Sequence, residues 1–201
     1  MNKNFFIPGI LQHYYKCTYM RNILLVVFAL FTTLHGISQS DSKIKSLVKD
    51  SEAAKEAFLK QDDSLSIFFS SASGYAIFPN VGKGGLGVGG ASGNGILYVG
   101  GKAIGTAKLT QVTIGFQAGG QAYREVIFFE NNEQLEKFKE NNVELSAQAS
   151  AVAAAAGASA DAKYNEGVAI FTMAKKGLMY EASVGGQKFK FTPFENSDPK
   201  N

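Results

Sequence analysis

A glycine-rich run between Ser73 and Gly95 constrains the fold of this chain more than any other stretch. Eight glycines occupy its last fourteen positions, after an apolar segment that stops at Pro79. Each glycine weakens a helix by about 1 kcal/mol relative to alanine, so the run predicts extended backbone and turns. Glycine also allows positive φ angles and close approach by another group. Three interpretations follow: an anion site, a lipid-binding surface, or a tightly packed strand.

The N-terminal region has the pattern of a secretory signal peptide. After Met20 come a cationic residue, an apolar core at 23–31, and the small residues Gly36 and Ser38 before a possible cleavage point. This apolar core is shorter than the roughly 20 residues that a membrane-spanning helix needs. We therefore predict that residues 1–38 are a signal peptide with its true start at Met20. The mature protein is predicted to be periplasmic or secreted, and peripheral to the membrane.

Removal of this leader changes the chemistry of the chain. It contains His13, Cys17 and His35, so the mature protein has neither cysteine nor histidine. Thiol or imidazole nucleophiles, bases and zinc ligands are thereby excluded. The leader also contains three of the 20 basic residues, which leaves 17 against 17 acidic ones. Net charge therefore gives no argument for nucleic-acid binding, and no metal or cofactor site is predicted. Hydrolysis by a pair of carboxylates stays possible in principle, although no spacing singles out such a pair.

Three segments predict helices. Residues 41–60 place apolar side chains near one face and charged ones elsewhere, so this helix either packs on the domain or lies on an anionic membrane. Its mixed charges favour packing. The acidic pair Asp62–Asp63 is expected to cap or start a second, short helix through Phe69, and Asn131–Glu140 predicts a third. The alanine-rich segment Leu145–Ala162 stays open between helix and strand.

Alternating and continuous apolar runs predict strands from Gly74 to Phe129 and again near the C-terminus. Gly93–Gly95 predicts a hairpin turn, and Val126–Phe129 predicts a strand buried on both faces. Residues 168–191 predict a three-stranded meander. The fold class is therefore α+β: an antiparallel, β-rich sandwich or barrel-like domain over residues 39–195. It has N-terminal helices, one short helix between the sheet halves and a polar tail at 196–201.

The charges along the first strands are one-sided. No acidic residue occurs between Asp63 and Glu125, whereas four basic residues do: Lys83, Lys102, Lys108 and Arg124. We call these four residues the acid-free zone. It predicts a positive local field that attracts an anionic partner, although a few lysines can also serve only to keep a sheet soluble and guard its edges.

The glycine run formally contains the dinucleotide motif G-x-G-x-x-G at Gly82–Gly87. That motif needs a helix to begin there, and an acidic residue about 20 positions later to bind a ribose. Neither condition is met, so a dinucleotide site is rejected. Exposed amide groups around the glycines remain able to bind an anion, with Lys83 supplying a positive charge.

Several motifs occur together in a characteristic order: Gly74–Pro79, Lys83–Gly85, Gly115–Gln121, Val126–Phe129 and Lys176–Leu178. In this order they resemble the SYLF domain over about residues 41–193. The SYLF family contains exported bacterial proteins and eukaryotic proteins of endocytosis and actin patches. The resemblance implies phospholipid binding, often of phosphoinositides, and no known catalysis. It also implies that residues 145–156 are extended.

Two positions depart from the family pattern. Gly157-Ala158 stands where many members have Gly-Arg, and Tyr180-Glu181 stands where many have a small residue and glycine. The first change removes a cation and the second adds bulk and negative charge, so phosphoinositide selectivity is not carried over. The actin binding of some eukaryotic members is likewise not carried over to an exported bacterial-type protein.

These observations predict an exported, non-catalytic domain that binds anionic phospholipid or a membrane surface. The predicted lipid-binding residues are Lys83, Lys102, Lys108, Arg124, Gly84 and Gly85. The cations would attract headgroups, and the glycines would let lipid approach the backbone. The alternative is a structural or self-associating cell-envelope protein in which the glycines serve packing only, and a carboxylate-based enzyme ranks third.

Overall fold

A computed structural model of the chain describes residues 41–115, 120–141, 152–153, 159–160, 162–175 and 186–194. The chain divides into two units, Met1–Ile44 and Lys45–Asn201, and the β-sheet belongs to the second. The predicted signal peptide and the predicted polar tail lie outside the described residues. So do Gly157-Ala158, Tyr180-Glu181 and the middle strand of the predicted meander.

The described residues contain three helices and six strands. They are α1 (residues 41–61), α2 (Leu65–Ser71), β1 (Gly74–Val99), β2 (Lys102–Gly115), β3 (Gly120–Phe129), α3 (Asn132–Lys139), β4 (Val152–Ala153), β5 (Val168–Ala174) and β6 (Gln187–Pro193). The strands form one sheet in the order β4-β5-β3-β1-β2-β6. All neighbours are antiparallel except β4 and β5. The predicted α+β, β-rich class is confirmed.

Strand β1 runs for 26 residues through the glycine-rich run. Its first half pairs with β3 and its second half with β2. The two halves also touch each other, because a Cβ atom added at Gly95 would lie 2.4 Å from the carbonyl oxygen of Ile77. One added at Gly93 would lie 2.9 Å from the carbonyl oxygen of Asn80. The strand therefore bends back on itself, and these glycines permit the contact.

The predicted hairpin turn at Gly93–Gly95 is wrong. These residues lie inside β1 and pair with Ala107–Leu109 of β2. The turn lies instead at Gly100 and Gly101, whose φ angles are 57° and 76°. Residues other than glycine rarely adopt such angles. The Asn-Gly pair resembled a turn signal, but its glycine is required here by the close approach of two backbone segments.

Apolar side chains pack on both faces of the sheet. On one face, Phe58 of α1 and Leu65 of α2 join a cluster that includes Phe128. On the other face, Phe138 of α3 packs against Phe129, with ring centroids 4.9 Å apart. The predicted two-sided burial of Val126–Phe129 is confirmed. Since the sheet already covers Phe58, the structure favours the packing interpretation of α1 over a helix lying on a membrane.

Asp62 joins the α1–α2 junction to the turn at Ser159. Its carboxylate accepts hydrogen bonds from the backbone N–H of Ser159 at 2.8 Å and from its hydroxyl at 2.6 Å. It also accepts one from the backbone N–H of Ser64 at 3.2 Å. Burial would raise the pKa of Asp62, but these hydrogen bonds outweigh it and lower the pKa to about 2. Ser64, not the predicted acidic pair, is the N-cap of α2.

Replacing Asp62 by alanine is expected to lower the free energy of unfolding by about 2–4 kcal/mol, because the buried donors of Ser159 and the partly buried donors of Ser64 lose their acceptor. The stabilisation by Asp62 should be present above about pH 4 and fade as the pH falls towards 2, since the folded-state pKa is depressed. Urea denaturation followed by circular dichroism measures both effects. The exposed neighbour Asp63 provides the control. Equal losses of unfolding free energy for Asp62→Ala and Asp63→Ala would contradict a stabilising role for the hydrogen bonds that Asp62 accepts from Ser64 and Ser159.

Candidate functional site

The acid-free zone does not form one patch. Lys83 of β1 pairs with Gln121 of β3, and cross-strand partners share a face of the sheet. Arg124 lies three residues beyond Gln121, so it points to the opposite face. Lys102 is exposed at the start of β2, next to the turn. Gly84 pairs with Gly120, and Gly85 follows it in β1.

Lys108 lies in an exposed row of polar residues that crosses three strands. Its cross-strand partners are Asn94 of β1 and Lys190 of β6. In the next row on the same face, Thr110 pairs with Lys188. All these side chains are exposed. We call Lys108, Lys188 and Lys190 the lysine face.

The lysine face has an electrostatic cost. Lys108 and Lys190 are directly opposite each other, and like charges in that position destabilise a sheet. Neither β2 nor β6 contains an acidic residue that could offset their repulsion. A surface that served only solubility would be better built from alternating charges. The arrangement is therefore typical of a surface that meets an anionic partner.

A cleft of about 430 Å³ opens between α1 and the sheet. Three charged side chains line it: Asp50 from α1, Arg124 from β3, and Lys175 just after β5. The rest of its lining is Leu47, Ala53, Ala54, Pro79, Asn80 and Asn94. The ammonium group of Lys175 donates a hydrogen bond to the amide oxygen of Asn80 at 3.4 Å.

The charges of this cleft are not neutralised by contact with one another. Within the described part of the chain, the ion pairs are Lys137 with Glu133 and Lys139 with Glu136, both on α3. Asp50, Arg124 and Lys175 therefore face the cleft without an ion-pair partner among the described residues. Together they leave one net positive charge, in a site that is open to solutes.

Asn94 connects the cleft to the lysine face. It lines the cleft and is also the direct cross-strand partner of Lys108. The cleft and the lysine face therefore adjoin each other at Asn94.

Sequence reasoning selected Arg124 and Lys108 but missed Lys175, Lys188 and Lys190. Those three lie far along the chain, and only the pairing of β3 with β5 and of β2 with β6 brings them close. The alternation of lysine and phenylalanine at 188–191 was a usable signal. It places both lysines on the solvent face of one strand, although it does not identify the neighbouring strand.

A buried acid lies on the opposite face of the sheet. Glu125 is fully buried, and one of its carboxylate oxygens accepts a hydrogen bond from the side-chain amide of Gln187 at 3.0 Å. The other carboxylate oxygen has no hydrogen-bond partner among the residues that the structure describes. Burial raises the pKa of Glu125 to about 7, and the hydrogen bond from Gln187 lowers it only in part. Glu125 is thus part of the buried core and does not belong to the charged cleft.

Two further properties concern the described residues alone. No group of three or more histidine, cysteine, aspartate or glutamate side chains there is placed to hold a metal ion. None of the helices in these parts of the chain combines the length and apolarity needed to cross a bilayer.

Comparison with known proteins relates the C-terminal part of the chain to one family. Residues 110–198 match the family model Ysc84, described as "Las17-binding protein actin regulator". Beta cell expansion factor A from Aeromonas veronii is 34% identical over 71 residues, which are 35% of this chain and 27% of that protein. The chain thus matches about a quarter of the length of this relative. The family match contains Arg124, Lys175, Lys188 and Lys190.

Proposed function

We propose that this protein binds anionic phospholipid surfaces, because residues 110–198 match the Ysc84 (SYLF) family model, a domain of a lipid- or actin-binding type. It does so as an exported, non-catalytic domain. The observation that carries the proposal is the pairing of Lys108 with Lys190 between two strands that lack acidic residues.

The physical basis is long-range attraction. A basic residue near an anionic bilayer contributes about 1 kcal/mol, so the three lysines of the lysine face supply about 3 kcal/mol. That is roughly a 100-fold gain in affinity, and it weakens as salt screens the charges. Val112, which is 72% exposed on the same strand as Lys108, adds an apolar side chain to this surface.

The double substitution Lys108→Glu with Lys190→Glu is expected to weaken binding to anionic vesicles by about 100-fold or more. The measurement is co-sedimentation with phosphatidylglycerol–phosphatidylcholine vesicles at about 50 and about 150 mM salt. The matched control, Lys83→Glu with Lys102→Glu, makes the same change of net charge within the predicted zone but outside the lysine face.

An equal loss for both double variants would contradict a localised lysine face and favour a diffuse effect of net charge. No vesicle binding by the unaltered protein would refute the proposal. In that case, concentration-dependent oligomers without lipid preference would favour the self-associating envelope protein. Pelleting with filamentous actin in the same assay tests the activity that the family description names.

A further inference from the structure

We propose that the cleft between α1 and the sheet binds an ethanolamine phosphodiester, the headgroup chemistry of phosphatidylethanolamine. The identification of the ligand rests on the charges that line the cleft. The lipid as its source rests on the proposed function, because the membrane would have to lie against the neighbouring lysine face.

The three charges match a zwitterion with one phosphate and one amine. Arg124 and Lys175 supply two cations, and a guanidinium group can donate two parallel hydrogen bonds to phosphate oxygens. Asp50 supplies one carboxylate that can accept hydrogen bonds from a primary ammonium group. A phosphate without an amine would leave Asp50 uncompensated, and an amine without a phosphate would meet two cations.

The remaining lining supports a small polar ligand with an apolar attachment. Asn80 and Asn94 offer amide donors and acceptors, while Leu47 and Pro79 supply apolar surface. The volume of about 430 Å³ lies within the range of about 300–1,000 Å³ that is typical of small-molecule sites.

The position of the cleft favours a lipid as the source of the headgroup. Asn94 borders the cleft and pairs with Lys108 of the lysine face. A bilayer held by that face would therefore bring headgroups to the adjoining cleft. A free phosphorylated amine presents the same chemistry, so the experiment has separate arms for the two sources.

The first arm titrates the full chain with glycerophosphoethanolamine, with dimethyl phosphate and with ethanolamine, each followed by nitrogen–proton NMR. Saturable shifts are expected at the side-chain signals of Arg124, Asn80 and Asn94. Glycerophosphoethanolamine should bind about 10-fold more tightly than dimethyl phosphate, because only the former also engages Asp50.

Two substitutions separate the roles of the charges. Arg124→Gln should abolish the shifts caused by both phosphodiesters. Asp50→Asn should reduce the affinity for glycerophosphoethanolamine to that for dimethyl phosphate while leaving the latter unweakened. Lys60→Gln and Glu56→Gln, exposed positions on α1 outside the cleft lining, make the same charge changes and should alter neither affinity. Absence of saturable shifts would overturn the proposal. So would losses of affinity in Lys60→Gln and Glu56→Gln as large as those in Arg124→Gln and Asp50→Asn.

The second arm compares phosphatidylglycerol–phosphatidylcholine vesicles with and without added phosphatidylethanolamine, so that the lysine face can hold both kinds of vesicle. Tighter binding to the vesicles that contain phosphatidylethanolamine, lost in Asp50→Asn, supports a lipid source. Binding of glycerophosphoethanolamine without any vesicle binding would refute the proposed membrane function while supporting the cleft as a site for a free phosphorylated amine. The variant Lys108→Glu with Lys190→Glu should retain glycerophosphoethanolamine binding, and its loss there would overturn the separation of cleft and lysine face.

Discussion

Replacing Glu125 by glutamine is expected to stabilise the protein at and above neutral pH and to remove most of the pH dependence of its stability between about pH 4.5 and 7. Glu125 is fully buried and receives one hydrogen bond, from Gln187. The side chains facing it include Thr172 of the neighbouring strand β5 and Tyr123, two residues earlier on β3, and neither carries a charge at neutral pH. Burial raises the pKa of Tyr123 as well, so this phenol stays neutral throughout the range.

The direction of this pH dependence follows from the raised pKa of Glu125. Burial raises the pKa of Glu125 from 4.5 to about 7, so between these values the folded protein binds a proton that the unfolded chain does not. Stability therefore falls as the pH rises through this interval, by an amount on the order of 3 kcal/mol. Glutamine has nearly the same shape and no charge to desolvate, so the variant should lack this loss.

Urea denaturation at about pH 5 and about pH 8 tests this expectation. The contribution of Glu125 should make the unaltered protein more stable at about pH 5 than at about pH 8. At the higher pH, Glu125→Gln should be more stable than the unaltered protein. Glu130→Gln, an exposed change at the end of the same strand segment, should leave the pH profile as it is. An unchanged slope in Glu125→Gln would show that Glu125 titrates as an ordinary carboxylate.

Local patterns predicted the elements of this fold where each element depends on its own side chains. The periodicity of α1 and the cap of α3 at Asn131, whose side chain accepts from the N–H of Gln134, are properties of short segments. The continuous apolar residues of Val126–Phe129 likewise predicted a strand with both faces buried. The hairpin turn predicted at Gly93–Gly95 was wrong because glycine serves turns and close packing equally well, and only contacts between distant residues decide between them.

The candidate site was predictable to the same degree. The absence of acidic residues before Glu125 is visible along the chain and drew attention to Lys108, of the lysine face, and to Arg124, which lines the cleft. Which face each side chain occupies depends on strand pairing. The sequence alone therefore could not show that Lys83 and Arg124 lie on opposite faces of the sheet. Asp50 and Lys175 enter the cleft from elements that a linear sequence does not place together, and no local pattern marks either residue.

Replacing Gly95 by alanine is expected to destabilise the protein by about 3 kcal/mol or more, because an added side chain there would overlap the backbone of the other half of β1. The new methyl group would lie 2.4 Å from the carbonyl oxygen of Ile77 and 2.7 Å from the ring of Phe78. The backbone of one half of β1 would have to move to relieve this overlap. Gly82→Ala is the matched control, because an added Cβ there meets no atom within 4 Å.

Thermal and urea unfolding of the two variants measure this difference. Gly82→Ala should change the free energy of unfolding by less than about 0.5 kcal/mol, as exposed substitutions usually do. Similar stabilities for Gly82→Ala and Gly95→Ala would show that the halves of β1 are not in contact. Because Gly95 adjoins Asn94, any surviving Gly95→Ala protein should also bind glycerophosphoethanolamine less well. The glycines would then act on the site indirectly, through the bend that places Asn94 at the edge of the cleft.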